Sequence, residues 1–155
     1  MTTLKNQIYI VDDDESMCRA LGMLLNTFGF KVKTFPSAAK FISFILKNAL
    51  RRSALPGCLV LDVHMPEMDG FTLQRKLFAC GYYPPIIFIS ADRDIKLSDK
   101  YSKMFGSVGF LKKPFTGPEL VDAINAVLEK QKNGAIAVCG KKIGRKSRML
   151  TVIEK

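Results

Sequence analysis

The sequence has a single histidine, His64, and only four cysteines, which are spread widely along the chain. One histidine leaves little material for a multi-histidine metal site or for a Ser-His-Asp triad. The cysteines show neither the spacing of a zinc site nor a C-x-x-C redox pair, so we interpret them as reduced, small hydrophobic residues. They are Cys18, Cys58, Cys80 and Cys139.

Long apolar runs are also absent, and none approaches the roughly 20 residues that a membrane-spanning helix requires. The N-terminal segment lacks the order of charge, apolar stretch and cleavage site that marks a signal peptide. We therefore expect a cytoplasmic protein without a membrane segment. Hydrophobic residues make up 48% of the 155 residues, which is enough for one domain with its own core and a short appendage.

Acidic residues are scarce in the C-terminal segment, and this explains much of the net charge of +10. Residues 131–155 carry seven positive charges minus one negative charge, a net of +6. We expect a main domain over residues 1–132 and a short basic tail over residues 133–155, either a linker or a β-hairpin. About 25 residues are too few for a DNA-binding domain with its own core. The run KKIGRKSR allows contact with nucleic-acid phosphates, but such a run is more often a solvated surface.

Short apolar runs recur along the main domain and predict five strands. Continuous runs of this kind are typical of strands buried on both faces of a parallel sheet, whereas an alternating run is typical of an edge strand. The continuous runs are IYIV (8–11), CLVL (58–61), IIFIS (86–90) and VGFL (108–111), and the alternating run is KVKTF (31–35).

Helical apolar stripes lie between these runs. The first extends from Met17 to Phe28, and the last begins with a capping-box pattern at Thr116 and Glu119. A more polar helix is expected over residues 92–105. Because strand and helix alternate five times, the sequence predicts right-handed βαβ units and an α/β fold with helices on both faces of the sheet.

Polar side chains follow four of the five predicted strands. Ligands of open α/β sheets bind outside the carboxyl ends of the strands, so these side chains should converge on one rim. Clustered carboxylates repel one another unless they bind a cation, and Mg²⁺ suits oxygen ligands. A serine hydroxyl and a lysine ammonium group at the same rim would then interact with the oxygens of a phosphoryl group. The combination favours a phosphoryl-transfer site. The first strand is followed by Asp12, Asp13 and Asp14, of which we expect Asp14 to be a helix N-cap. The third strand ends in Asp62, the fourth ends in Ser90, and the fifth leads to Lys112 and Lys113.

The segments YIVDDDE, LVLDVHMPEMDG, IIFISA and GFLKKPF carry these residues. In spacing and order they resemble the receiver domain of response regulators in two-component signal transduction, over roughly residues 6–130. The resemblance implies a flavodoxin-like (βα)5 fold, a doubly wound parallel sheet with strand order 2-1-3-4-5.

The resemblance also implies a Mg²⁺ site and a phosphoacceptor. Asp62 would be the phosphoacceptor, a carboxylate nucleophile that forms an acyl phosphate. Asp12, Asp13 and Asp62 would hold Mg²⁺, together with the main-chain carbonyl of His64. The Asp69-Gly70 pair that follows is interpreted as turn chemistry rather than as part of the reaction.

Four further residues take roles from the same resemblance. Lys113 would pair with a phosphoryl oxygen, and Ser90 would be the switch hydroxyl that turns toward the phosphoryl group. Phe110 lies at the aromatic switch position, where tyrosine is common in the family. The bond before Pro114 would be cis, although only about 5–6% of X–Pro bonds in folded proteins are.

The implied function is a phosphorylation switch. A histidine kinase or a histidine phosphotransfer protein would donate the phosphoryl group, since the chain lacks a G-x-x-x-x-G-K-[ST] motif of its own. The domain would catalyse only its own phosphorylation and dephosphorylation, and is not otherwise an enzyme. Phosphorylation would shift the face formed by the fourth helix, fifth strand and fifth helix, through which the protein could form a homodimer or bind a target.

Two other functions stay open at this point. One is a docking platform that keeps the receiver fold without being phosphorylated. The other is an aspartate-based phosphatase, which also uses an aspartate nucleophile, Mg²⁺, a hydroxyl and a lysine. Such enzymes place a second aspartate two residues after the nucleophile, where this chain has His64 after Asp62, so the phosphatase is disfavoured.

Overall fold

The computed structural model describes residues 6–48, 57–91 and 108–134. Five strands form one parallel sheet, and their bounds are Gln7–Val11 (β1), Lys31–Phe35 (β2), Cys58–Asp62 (β3), Ile86–Ser90 (β4) and Val108–Lys112 (β5). Their order in the sheet is β2-β1-β3-β4-β5. This order confirms the predicted doubly wound α/β fold.

Four helices connect or follow these strands in the described part of the chain. They are Glu15–Thr27 (α1), Ala38–Asn48 (α2), Gly70–Ala79 (α3) and Gly117–Gly134 (α4). The helix predicted over residues 92–105 lies outside the described residues. The helix labelled α4 here therefore corresponds to the fifth and last helix that the sequence predicts. None of the described helices is long and apolar enough to cross a membrane.

Both predicted helix caps are confirmed. The backbone N–H of Met17 donates to Asp14 Oδ1 at 3.1 Å, which makes Asp14 the N-cap of α1. Thr116 and Glu119 form a reciprocal capping box, in which the N–H of Thr116 donates to Glu119 Oε2 at 2.7 Å and the N–H of Glu119 donates to Thr116 Oγ1 at 3.3 Å. Each bond satisfies a backbone donor that the first helical turn leaves unpaired.

Two apolar cores lie on opposite faces of the sheet. Helices α2 and α3 pack on one face through residues such as Phe41 and Leu73, whereas α1 and α4 pack on the other through residues such as Leu21 and Ile124. All five residues of β3 are buried. A central strand covered on both faces accounts for the unbroken apolar run in the sequence.

The stripe predicted for α1 is wrong at Phe28, whereas Met17 at its other end packs against the core. The buried residues are Cys18, Leu21, Gly22 and Leu25, whereas Phe28 is 48% exposed. A Cβ atom on Gly22 would lie 3.7 Å from the side chain of Val32 in β2. A side chain there would make an ordinary van der Waals contact, so this face of α1 simply packs on β2, whereas Phe28 is the C-cap of the helix and lies outside the buried face.

The alternating run is the edge strand β2, as predicted, and most of its residues are exposed. At the other end of the chain, α4 extends to Gly134. The proposed boundary at residue 132 and the form of the basic tail stay predictions, because residues 135–155 lie outside the described part.

Candidate functional site

The register of the strands brings the predicted polar residues to one rim of the sheet. Val11 pairs with Leu61. The next residues in the chain are Asp12 and Asp62, which are therefore neighbours at the carboxyl ends of β1 and β3. On the other side of β3, Asp62 pairs with Ile89, the residue before Ser90. Parallel pairing thus places residues that are distant in sequence at a single edge.

Three carboxylates form the centre of this rim. Asp12, Asp13 and Asp62 each offer an oxygen atom, and these three atoms lie within 4.8 Å of one another. Asp12 and Asp62 are 1% and 7% exposed, whereas Asp13 faces solvent. Two buried carboxylates beside an exposed one form an all-oxygen donor set, which fits a hard divalent cation such as Mg²⁺ that retains several waters.

Lys113 supplies a positive charge to the same cluster. Its Nζ lies 3.5 Å from Asp12 Oδ2 and 3.8 Å from Asp62 Oδ1. The backbone N–H of Lys113 donates to the carbonyl of Ser90 at 2.8 Å, which ties the end of β5 to the end of β4. The Lys113–Pro114 peptide bond is cis, in agreement with the expectation from the sequence.

The surroundings of Asp62 favour its protonated form in the absence of a cation. Burial is the largest cause and the charge of Asp12 adds to it, so that the pKa of Asp62 rises from 3.8 to about 6. Lys113 and the backbone N–H of His64, which donates to Asp62 Oδ1 at 3.4 Å, act in the opposite direction. The carboxylate is thus held in an environment that a further positive charge would stabilise.

The segment after Asp62 is fixed by the first turn of α3. Asp69 is the N-cap of this helix, because the N–H of Thr72 donates to its Oδ1 at 2.7 Å. The N–H of Gly70 donates to the carbonyl of Val63 at 3.0 Å. The sequence interpretation of Asp69-Gly70 as a simple turn therefore missed both the cap and the contact of Gly70 with the strand that carries Asp62.

The side chain of His64 is exposed. This agrees with an assignment of its main-chain carbonyl, rather than its imidazole, to the metal. That ligand role stays a prediction, as do the metal roles of the three aspartates and the catalytic role of Lys113.

Phe110 is half-buried and lies against other aromatic side chains. Its ring stacks on that of Phe88, with 5.2 Å between centroids and 28° between planes, and lies 6.4 Å from the ring of Phe71. Ser90 follows Phe88 by two residues in β4, and alternate residues of a strand share a face. Phe110 and Ser90 therefore belong to one side of the sheet, and their switching roles stay predictions.

Comparisons with known proteins agree with this geometry. The family described as the response regulator receiver domain matches residues 8–125. The chain is 44% identical to the response regulator protein TodT of Pseudomonas putida over 129 residues, which are 83% of this chain and 54% of TodT. It is 34% identical over 137 residues to the transcriptional regulatory protein FixJ of Bradyrhizobium diazoefficiens, covering 86% of this chain and 62% of FixJ.

The likeness extends to solved structures. The crystal structure of FixJ-N matches with a TM-score of 0.69 and 32% identity, over 83% of this chain and 96% of that one. The chain spans about half the length of these and other curated relatives that it matches. On its sequence, strand order and rim of acids and lysine, this chain belongs to the response regulator receiver domain family.

Proposed function

We propose that this domain accepts a phosphoryl group on Asp62 in a Mg²⁺-dependent reaction and thereby switches between two conformations. The observation that carries the proposal is the contact of Lys113 Nζ with both Asp12 and Asp62, inside a cluster of three carboxylates. A partly exposed lysine held against two buried carboxylates is costly to assemble, and phosphoryl transfer uses such an arrangement of charges.

In the proposed reaction, a carboxylate oxygen of Asp62 attacks the phosphorus of a phosphohistidine. The O–P bond forms as the P–N bond breaks, and the imidazole of the donor leaves with the electron pair and takes up a proton. Asp12, Asp13, Asp62 and the carbonyl of His64 would hold Mg²⁺, which when bound neutralises charge on the phosphoryl oxygens. Lys113 orients the nucleophile before the reaction and pairs with a phosphoryl oxygen after it.

The donor in this proposal is a sensor histidine kinase or a histidine phosphotransfer protein. Histidine kinases take the phosphoryl group from ATP, which is found in the cytoplasm. We therefore place the reaction in that compartment. The domain is not an enzyme for other substrates, since its chemistry is limited to forming and hydrolysing its own acyl phosphate.

Phosphorylation adds about −1.5 to −2 charges and three acceptor oxygens to the rim. Ser90 supplies a hydroxyl to the new group, and movement of Ser90 frees space beside the ring of Phe110. The result is a population shift in β5 and the helices beside it, which would alter binding of a second copy or of a target protein.

The test is labelling by a small-molecule phosphodonor such as acetyl phosphate, with and without Mg²⁺. We expect the intact mass of the wild-type chain to increase by one phosphoryl group, in a bond that is labile to acid, to base and to hydroxylamine. Asp62→Asn should abolish the label. Asp69→Asn is the matched control, because Asp69 is an exposed helix cap outside the cluster.

Retention of the label in Asp62→Asn would contradict the assignment of the phosphoacceptor. If the wild-type chain takes up no label and does not bind beryllofluoride with Mg²⁺, the docking-platform alternative replaces the proposal. Turnover of a generic phosphate ester would instead support the phosphatase.

A further inference from the structure

A stretch of 46 residues between Glu15 and Asp62 contains no acidic residue. The same stretch contains seven basic residues, so its net charge is +7 in a chain of net charge +10. The basic residues are Arg19, Lys31, Lys33, Lys40, Lys47, Arg51 and Arg52. Charge is therefore segregated between this part of the domain and the acidic rim.

Four of these residues share one border of the described structure. Lys31 and Lys33 lie on the edge strand β2, and Lys40 and Lys47 lie on the neighbouring helix α2. All four are exposed. We name this surface the basic edge.

The basic edge is centred on the ring of Phe44. The Nζ of Lys33 lies 4.1 Å from the centroid of this ring, and this cation–π contact links β2 to α2. Phe44 follows Lys40 by four residues and precedes Lys47 by three, spacings that make helical residues neighbours on one surface. One ammonium group thus contacts this half-buried ring, and two further lysines flank Phe44 along the surface of α2.

These positive charges have no acidic partner in the described part of the chain. The salt bridges described there join Lys113 to Asp12 and Asp62, on the rim rather than on the basic edge. Like charges held together repel one another, so a fold that groups them is stabilised when an anion binds. The basic edge is thus complementary to an anionic partner.

The other side chains of the basic edge indicate which kind of anion. The exposed residues between the lysines are Thr34, Ala39 and Ser43, which are small or carry a hydroxyl. The large exposed hydrophobic residues of the described structure are Met23, Phe28 and Tyr83, and none of them lies on β2 or α2.

A protein partner usually needs a large apolar anchor at the centre of the interface, and a membrane-surface helix needs an apolar face. The basic edge offers neither. Lysine ammonium groups and hydroxyls instead suit the phosphate backbone of a nucleic acid, where binding depends on charge rather than on fixed geometry. We propose that the basic edge binds the phosphate backbone of double-stranded DNA without reading its sequence. This inference does not rest on the proposed phosphorylation, whose residues lie elsewhere.

The test measures the affinity of the full chain for a fluorescent DNA duplex of arbitrary sequence over a range of salt concentrations. The edge variant is Lys40→Gln with Lys47→Gln, which removes two charges and keeps good helix-forming residues. The control is Arg75→Gln with Lys130→Gln, which removes the same charge from exposed positions on α3 and α4. Basic residues of the tail are common to all three proteins.

We expect the slope of log affinity against log salt to become shallower by about 2 in the edge variant, because each lysine-to-phosphate contact contributes about −0.9. The control should retain nearly the wild-type slope. Equal losses in both variants would show an effect of net charge alone and would overturn the proposal, as would a wild-type slope in the edge variant. If poly-glutamate binds as tightly as the duplex and loses affinity in the same variant, the surface recognises acidic protein and the proposal is wrong.

Discussion

A Cβ atom on Gly70 would lie 2.5 Å from the main-chain carbonyl oxygen of Asp62. The first turn of α3 therefore rests directly on the backbone that carries the proposed phosphoacceptor. Because the atom that Asp62 contributes to this contact belongs to the backbone, rotation of a side chain cannot relieve it. Glycine at this position allows α3 to begin where the carboxylate of Asp62 is presented.

Replacing Gly70 with alanine should both destabilise the fold and damage the rim. Overpacking of this kind costs about 1–3 kcal/mol, and the displaced backbone includes the neighbours of Asp62. We expect a lower free energy of unfolding in urea and weaker Mg²⁺ binding by titration. Gly117→Ala is the control, because its Cβ would meet flexible side-chain atoms of Leu24. Wild-type Mg²⁺ affinity in Gly70→Ala would contradict this prediction.

The raised pKa of Asp62 should make the cation-free protein less stable as the pH increases. The folded-state pKa of about 6 exceeds the ordinary value of 3.8, so folding favours the protonated acid. The favourable contribution is present below about pH 4 and is lost as the pH rises through 6, with a cost on the order of 2–3 kcal/mol. Asp62→Asn should remove this cost, and its stability near pH 7 should exceed that of the wild type.

Urea unfolding in EDTA at several pH values between 4 and 8 checks this expectation. The two proteins should diverge with increasing pH, and Mg²⁺ should bring the wild type back toward the variant. Parallel curves for wild type and Asp62→Asn would contradict the assigned cause.

Gln74 is a buried polar residue whose replacement should stabilise the domain. Its side chain is fully buried in α3, and neither Oε1 nor Nε2 has a hydrogen-bond partner in the part of the chain that the structure describes. A buried unpaired amide costs about 1–3 kcal/mol. Gln74→Met, which is similar in shape, should raise the urea midpoint. A decrease would show that the amide has a partner.

The backbone at Glu67 is in the left-handed region, with φ at 69°. A residue with a side chain pays about 1–2 kcal/mol for this conformation, whereas glycine adopts it readily. We expect Glu67→Gly to raise the free energy of unfolding by about 0.5–1 kcal/mol, since the added freedom of the unfolded chain offsets part of the gain. Glu67→Val should lower it. Thermal melts of the three proteins measure both changes, and equal melting temperatures would argue against strain.

Much of the site could be predicted from the sequence, because its charged groups lie at or just after the ends of predicted strands. Asp12, Asp62 and Lys113 each come at or just after the end of an apolar run, and parallel pairing of such runs forces their carboxyl ends together. The roles of individual residues came from resemblance and not from the pattern itself.

What the sequence did not predict depends on how closely elements approach one another. The contact of Gly70 with Asp62 requires the position of α3, and the burial of Gln74 requires the packing around that helix. The buried face of α1, which includes Gly22, likewise depends on how the helix packs on the sheet. A one-dimensional pattern of apolar and polar residues contains no distances between elements, so these features became visible only in three dimensions.

The pair formed by Lys113 and Asp12 joins residues that are 101 positions apart in the chain. Between them in the sheet lie β3 and β4, so the pair can form only when all the intervening strands have assembled. A nascent or partly unfolded chain would therefore have Asp12 and Asp62 without the ammonium group of Lys113 beside them. If Asp62 is the phosphoacceptor that we propose, only a chain that has completed its sheet presents the ammonium group beside it.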